Sequence, residues 1–172
     1  MARQCLLKEN SSEASTRTTE VKFVARASSR MLLLFWLLAA PDGHAKNFSI
    51  RVLPMGRYQL TPIYDVMSIW PVEGKGPSQF SMFKTKMAMA VLGKNKHYHF
   101  KDIQRRHFNS TAAKCFHRSD AEDLIEQVLE RTSGVIENMA KKLPERFPQR
   151  IAQSIFDGLR RSAEMLKRMP PV

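Results

Sequence analysis

The chain has 172 residues, 43% of them hydrophobic, enough for one domain with a real core. Its 28 Lys and Arg against 16 Asp and Glu give a net charge of +12 and a pI near 10.1. That balance points to an anionic partner (a nucleotide, a nucleic acid or an acidic protein), although a solvated basic surface explains it equally well and no common nucleic-acid-binding motif is present. The two cysteines, Cys5 and Cys115, stand far apart in unlike contexts, which argues against a disulfide scaffold and fits a reduced cytoplasmic protein.

Residues 1 to about 20 are rich in Ser, Thr, Glu and Arg and show neither a helical nor an alternating period, so disorder is expected there. Residues 1–28 read as disordered or as an unrelated leader, and 29–170 as the domain proper. Met31 to Ala40 is an apolar run behind Arg26 and Arg30. A short run behind basic residues, ending in Ala39-Ala40, can be a signal-peptide core, and it is too short to span a bilayer. The reading preferred here is a buried helix with Phe35 and Trp36 in the core, because the run leads directly into the loop that follows.

That loop is Asp42-Gly43-His44-Ala45-Lys46-Asn47, with Asp65 eighteen residues after Asn47. An Asp and an Asn five apart have the spacing of a kinase catalytic loop, in which the Asp orients a substrate hydroxyl and the Asn holds a metal. Phe48 to Leu53, a turn at Pro54-Met55-Gly56-Arg57 and Tyr58 to Thr61 predict a β-hairpin that delivers the chain to Asp65. Phosphoryl transfer asks mainly for positioning and for cations near the phosphate oxygens, and Mg²⁺ takes hard oxygen ligands. Asn47 and Asp65 offer such oxygens, and Asp42 offers an acceptor for the substrate proton.

Val72 to Gln79 reads as a loop in the position of an activation segment. Gly74 and Gly76 lack the third glycine of a phosphate cradle, and Ser78 and Ser81 read as ordinary loop serines. Lys84 to Leu92, a turn at 93–96 and His97 to Phe100 predict a second hairpin. His97 and His99 have no third ligand at a fixed spacing, so they read as polar strand residues and not as a metal site. Lys101 to Phe116 reads as a basic helix with Ile103 and His107 on one side. Ser119 with Glu122 suggests a capping box for the next helix. Its expected buried face is Leu124, Ile125, Val128, Leu129, Val135, Ile136, Met139 and Leu143, with Pro144 as the stop. In the last helix Ile151, Ile155, Leu159 and Leu166 are expected to point inward.

The runs Trp36 to Ile50, Leu60 to Val66, Lys86 to Ala90 and Gly93-Lys94 together resemble the C-terminal part of HipA-type serine/threonine kinases, the toxins of bacterial toxin–antitoxin pairs. The resemblance extends from about Met31 to Met169. It implies an α+β, mostly helical fold: a kinase-like C-terminal lobe with short β-hairpins. It makes Asp42 the catalytic residue and Asn47 and Asp65 the Mg²⁺ ligands, while His44 and Lys46 match the loop and are assigned to cofactor binding. It also implies ATP as donor, a protein substrate, a HipB-like DNA-binding antitoxin as partner, DNA contact within that complex, and no membrane association. Pro41 departs from the small polar residue expected before the Asp, and by fixing φ and removing a donor it can shift the loop's entry. Neither a Gly-x-Gly-x-x-Gly cover nor a Walker-type loop occurs. The expectation is therefore a truncated kinase lacking its nucleotide-gripping lobe, and weak Mg-nucleotide binding by the isolated chain. The alternative is a non-catalytic basic helical module that binds an antitoxin, DNA or a separate kinase lobe. A secreted basic protein cut after Ala40 is the third reading.

Overall fold

The computed structural model describes residues 27–54, 57–82, 84–115 and 121–171, Cys115 by its backbone alone. The leader read over 1–28 lies outside these except for Ala27 and Ser28, as do Cys5, the turn residues Met55 and Gly56, and Ser119. The fold is α+β and mostly helical, with two separate two-stranded antiparallel sheets among the described residues.

Residues 27–37 form α1, and its apolar run is buried on nearly every side: Met31, Leu32, Leu33, Phe35, Trp36 and Leu37 all belong to the core. A helix apolar all round belongs at a domain centre. It ends where Ala39 takes a left-handed φ of 48°. The Ala40 N–H donates to the Phe35 carbonyl at 2.8 Å and the Ala39 N–H to the Trp36 carbonyl at 3.1 Å, which is the Schellman pattern. Alanine there costs about 1–2 kcal/mol relative to an unstrained backbone. Two tryptophan N–H groups pin the helix in place, Trp36 to the Phe100 carbonyl at 3.1 Å and Trp70 to the Leu37 carbonyl at 3.2 Å. The buried-helix expectation for Met31 to Ala40 holds, with the last three residues forming the turn.

Strands β1 (Ile50–Val52) and β2 (Tyr58–Leu60) form the first hairpin, shorter than predicted but in the predicted place. The register pairs Ile50 with Leu60 and Val52 with Tyr58, so one face is apolar and the other carries Arg51 and Gln59. That apolar face is open: Ile50 is 53% and Val52 69% exposed. Strands β3 (Lys86–Leu92) and β4 (Lys96–His99) form the second hairpin. The helix expected over Lys101 to Phe116 is shorter, because a 3-10 turn at Phe100–Asp102 precedes α2 (Arg105–Cys115), and Phe116 lies outside the described residues.

Helix α3 (Glu122–Lys142) has Ala121 at its N-cap and no side-chain cap. The expected capping-box partner Ser119 lies outside the described residues, and Glu122 reaches α2, where Arg105 Nε donates to it at 2.9 Å and Asn109 Nδ2 also donates to it. Arg105 also pairs with Glu126. Asn109 accepts from the Ala121 N–H at 3.0 Å and donates to the Pro171 carbonyl at 2.9 Å, so one polar knot ties α2, the start of α3 and the chain's last turn. The expected apolar face is buried at Leu124, Ile125 and Ile136, but Val135 and Met139 are about half exposed. In the second half of α3 only the narrow stripe of Thr132 and Ile136 is covered. The helix stops at Lys142, where Leu143 is extended ahead of Pro144.

Helix α4 (Gln149–Arg168) packs on α3 and on the 3-10 turn Trp70–Val72. Its buried positions are mostly small: Ala152, Gly158, Ser162 and Ala163, with Leu166. The expected inward Ile151 is 40% exposed, since the contact face is built on residues that permit close approach. Gly158 shows why. A Cβ there would lie 2.3 Å from Trp70 ring atoms, so the indole occupies the space a side chain would need.

Candidate functional site

The site is assembled where α1 hands the chain to the loop at Asp42. Pro41 has no N–H to give, and its carbonyl accepts the Ala88 N–H of β3 at 2.8 Å, which fixes the loop's entry. Gly43 rests on the Phe35 ring, where a Cβ would come within 2.4 Å of Cδ2. Only glycine lets the loop lie this close to α1. His44 Nε2 stands 3.7 Å from Asp42 Oδ1, and Asp42 is the more exposed of the two. The His44 Nδ1 is buried without a hydrogen-bond partner among the described residues.

The loop closes with a 3-10 turn at Ala45–Asn47. Asn47 is 1% exposed and its amide is engaged at both ends. Oδ1 accepts the His44 N–H at 3.1 Å, and Nδ2 donates to the Asp65 carbonyl at 3.0 Å and, at 3.4 Å, to that of Tyr64. Asn47 therefore bolts the Asp42 loop to the segment that carries Asp65. Asp65 has a left-handed φ of 57° and an exposed side chain. Aspartate tolerates that region better than most residues, and such strained positions cluster at functional sites.

Tyr64 completes the junction and had no role assigned from sequence. Its hydroxyl donates to the Lys46 carbonyl at 2.8 Å, so the Ser49 hydroxyl, also at 2.8 Å, is the donor to Tyr64. The signal available was an aromatic residue directly before the metal-type Asp, too common a pairing to read alone. Lys46 lies exposed at the rim.

All five sequence-predicted residues, Asp42, His44, Lys46, Asn47 and Asp65, thus lie on one loop and the segment joined to it. Their donor chemistry suits a hard divalent cation: Asp65 presents carboxylate oxygens, and Oδ1 of Asn47 keeps one lone pair beyond the His44 bond. Among the described residues no cluster of three His, Cys, Asp or Glu side chains could hold a metal unaided. Mg²⁺ sites commonly draw one or two ligands from protein and the rest from water and phosphate.

His97 and His107 serve packing. Their rings stack 3.8 Å apart with planes 10° from parallel, and His107 Nδ1 accepts the Gln104 N–H at 3.2 Å. Burial, with the nearby charges of His97 and Arg106, pushes the His107 pKa down, so its ring is held neutral.

A sequence model of the family described as HipA-like C-terminal domain matches residues 9–136, about three quarters of the chain. The chain belongs to that family. The matched stretch of this HipA-like chain contains α1, the whole Asp42–Asp65 junction, both hairpins, α2 and the buried half of α3. At the level of the family this is a toxin–antitoxin context. No helix among the described residues is long and apolar enough to cross a membrane.

Proposed function

We propose that this HipA-like chain carries the phosphoryl-transfer residues of a serine/threonine kinase that moves phosphate from ATP to a protein. The observation that supports it is the Asn47 amide joining the Asp42 loop to Asp65. It holds a candidate proton acceptor and a candidate metal carboxylate in one fixed frame, as positioning catalysis requires. Asp42 accepts the hydrogen bond of the substrate hydroxyl and takes its proton. Asp65 and the remaining lone pair of Asn47 would hold Mg²⁺, which would supply positive charge at the phosphate oxygens. His44 steadies Asp42 from 3.7 Å, Lys46 offers a cation at the rim, and the open apolar face of the β1–β2 hairpin offers a surface for the nucleotide base. The proposed setting is the cytoplasm, with a HipB-like antitoxin as partner.

The test is calorimetric titration of Mg-ATP into the purified chain, with Asp65→Ala as control. Binding that Asp65→Ala removes supports the reading. Binding that Asp65→Ala leaves intact refutes the metal assignment.

A second reading has its own observation. From β3 through α2 the exposed cations Lys86, Lys94, Lys96, Lys101, Arg106 and Lys114 face a single acidic residue, Asp102. Such a surface suits docking on an acidic antitoxin face or on DNA without any transfer chemistry. Absence of Mg-ATP binding, together with salt-sensitive capture of an antitoxin–operator complex, would favour it.

A further inference from the structure

Between the Trp70–Val72 turn and β3 the chain folds back around an open surface depression of about 710 Å³, which shares no lining residue with the Asp42–Asp65 junction. Its wall is a closed loop. The Gly74 N–H donates to the Phe80 carbonyl at 2.8 Å and the Phe80 N–H to the Val72 carbonyl at 2.9 Å. The Gly76 N–H donates to the Gln79 side-chain oxygen at 2.8 Å, and the Lys84 and Thr85 N–H groups both donate to the Ser81 carbonyl at 2.9 Å. These backbone donors are spent within the loop.

The groups left to act on a ligand are side chains. Lys75 and Lys84 both line the depression, neither has an acidic partner among the described residues, and no carboxylate lines it. The Ser81 hydroxyl stands beside them, and Phe80 presents a half-exposed ring at the wall. Two lysines and no carboxylate around one depression give it a positive potential, and a phosphate monoester, with a charge of about −1.5 to −2 at neutral pH, complements it. Lysine ammoniums act as point charges and need no bidentate geometry to hold phosphate. The Phe80 ring takes an apolar or aromatic group attached to that phosphate.

We propose that this depression binds a phosphate monoester of an aromatic or apolar group, held by Lys75 and Lys84 with its carbon part against Phe80. The site is independent of the transfer reading, since it uses neither Asp42 nor Asp65 and needs no metal. The same chemistry can come from a small phosphorylated molecule or from a phosphorylated side chain.

The experiment is titration of phenyl phosphate into the full ¹⁵N-labelled chain without magnesium, followed by amide shifts. A short phosphotyrosine peptide forms the second arm. Expected are shifts centred on residues 74–85 and at least a tenfold weakening in the Lys75→Ala/Lys84→Ala double variant. The exposed pair Lys141→Ala/Lys142→Ala should change affinity less than twofold, and Asp65→Ala should change nothing. Tighter binding of the peptide than of phenyl phosphate assigns a protein source, and equal binding a small-molecule source. Equal losses in the two lysine pairs, or shifts spread over the basic surface, would overturn the proposal by showing non-specific attraction to a chain of net charge +12.

Discussion

Replacing Glu122 by Gln tests the polar knot beneath α2 and α3, because it removes a charge while keeping size and an acceptor oxygen. Arg105 is 5% exposed, so its guanidinium depends on protein partners. It reaches Glu122 through Nε at 2.9 Å and pairs also with Glu126, whose side chain is 55% exposed. A hydrogen bond to a charged group contributes about 1.5–3 kcal/mol and one between neutral groups about 0.5–1.5, so the Asn109 bond loses roughly 1 kcal/mol and the Arg105 pair, deprived of its opposite charge, roughly another 1. Arg105 and Asn109 both donate to Glu122. A carboxylate in the first turn of α3 adds about 0.3–1 kcal/mol through the helix dipole. The sum is about 2–3 kcal/mol at pH 7, a fall in Tm of roughly 4–12 °C for a domain of this size.

The pH dependence gives the sharper reading. Burial alone would raise the Glu122 pKa, but the hydrogen bonds from Arg105 and Asn109 outweigh it and hold the carboxyl below its usual range. A carboxyl whose pKa is lower in the folded than in the unfolded state stabilises the fold above its unfolded value, and that stability is lost as pH falls through the folded value. Thermal unfolding followed by circular dichroism from pH 7 to pH 3 should therefore show the parent and Glu122→Gln converging as Glu122 is protonated. A difference that stays constant with pH, or one below about 0.5 kcal/mol at pH 7, would refute the paired, buried carboxylate.

Two glycine substitutions should move stability in opposite directions. Gly158→Ala drives a methyl into the Trp70 indole and should cost about 1–3 kcal/mol in denaturant unfolding, with a shift in tryptophan emission. Gly134→Ala adds a methyl with nothing within 4 Å and should stabilise α3 by about 0.5–1 kcal/mol in the same assay. Tyr64→Phe removes the bonds to the Lys46 carbonyl and Ser49 and should weaken Mg-ATP binding about fivefold in calorimetry while leaving the circular dichroism spectrum unchanged. Asp42→Ala should abolish transfer in a radiolabel assay without loss of the fold.

Local patterns explain why much of this was legible in the sequence. The apolar run of α1, both hairpins and the stop at Pro144 announce themselves through period, turn chemistry and proline. The spacing of Asp42, Asn47 and Asp65 picked out two segments that lie together, but not the amide bond of Asn47 that joins them. What stayed hidden depends on contacts between distant residues. Glu122 also holds Arg105 and Asn109 of α2, a pairing that nothing local in the sequence shows. Val135 and Met139 keep helical period but lie where α3 has outrun the core, and period alone cannot say where a partner ends. The buried face of α4 escaped because it is made of Ala152, Gly158, Ser162 and Ala163, which carry close approach and not hydrophobicity.

The clasp between Asn47 and Tyr64-Asp65 has a consequence for how sequence length can vary. It closes the base of the β1–β2 hairpin, so strands β1 and β2 lie outside the frame that fixes Asp42 relative to Asp65. Each doubling of a flexible loop adds only about 0.6 kcal/mol of closure entropy. The hairpin tip is therefore an insertion point. A reporter peptide or a small folded module grafted between Leu53 and Arg57 should leave the junction's geometry in register, whereas a single residue inserted between Tyr64 and Asp65 should destroy it.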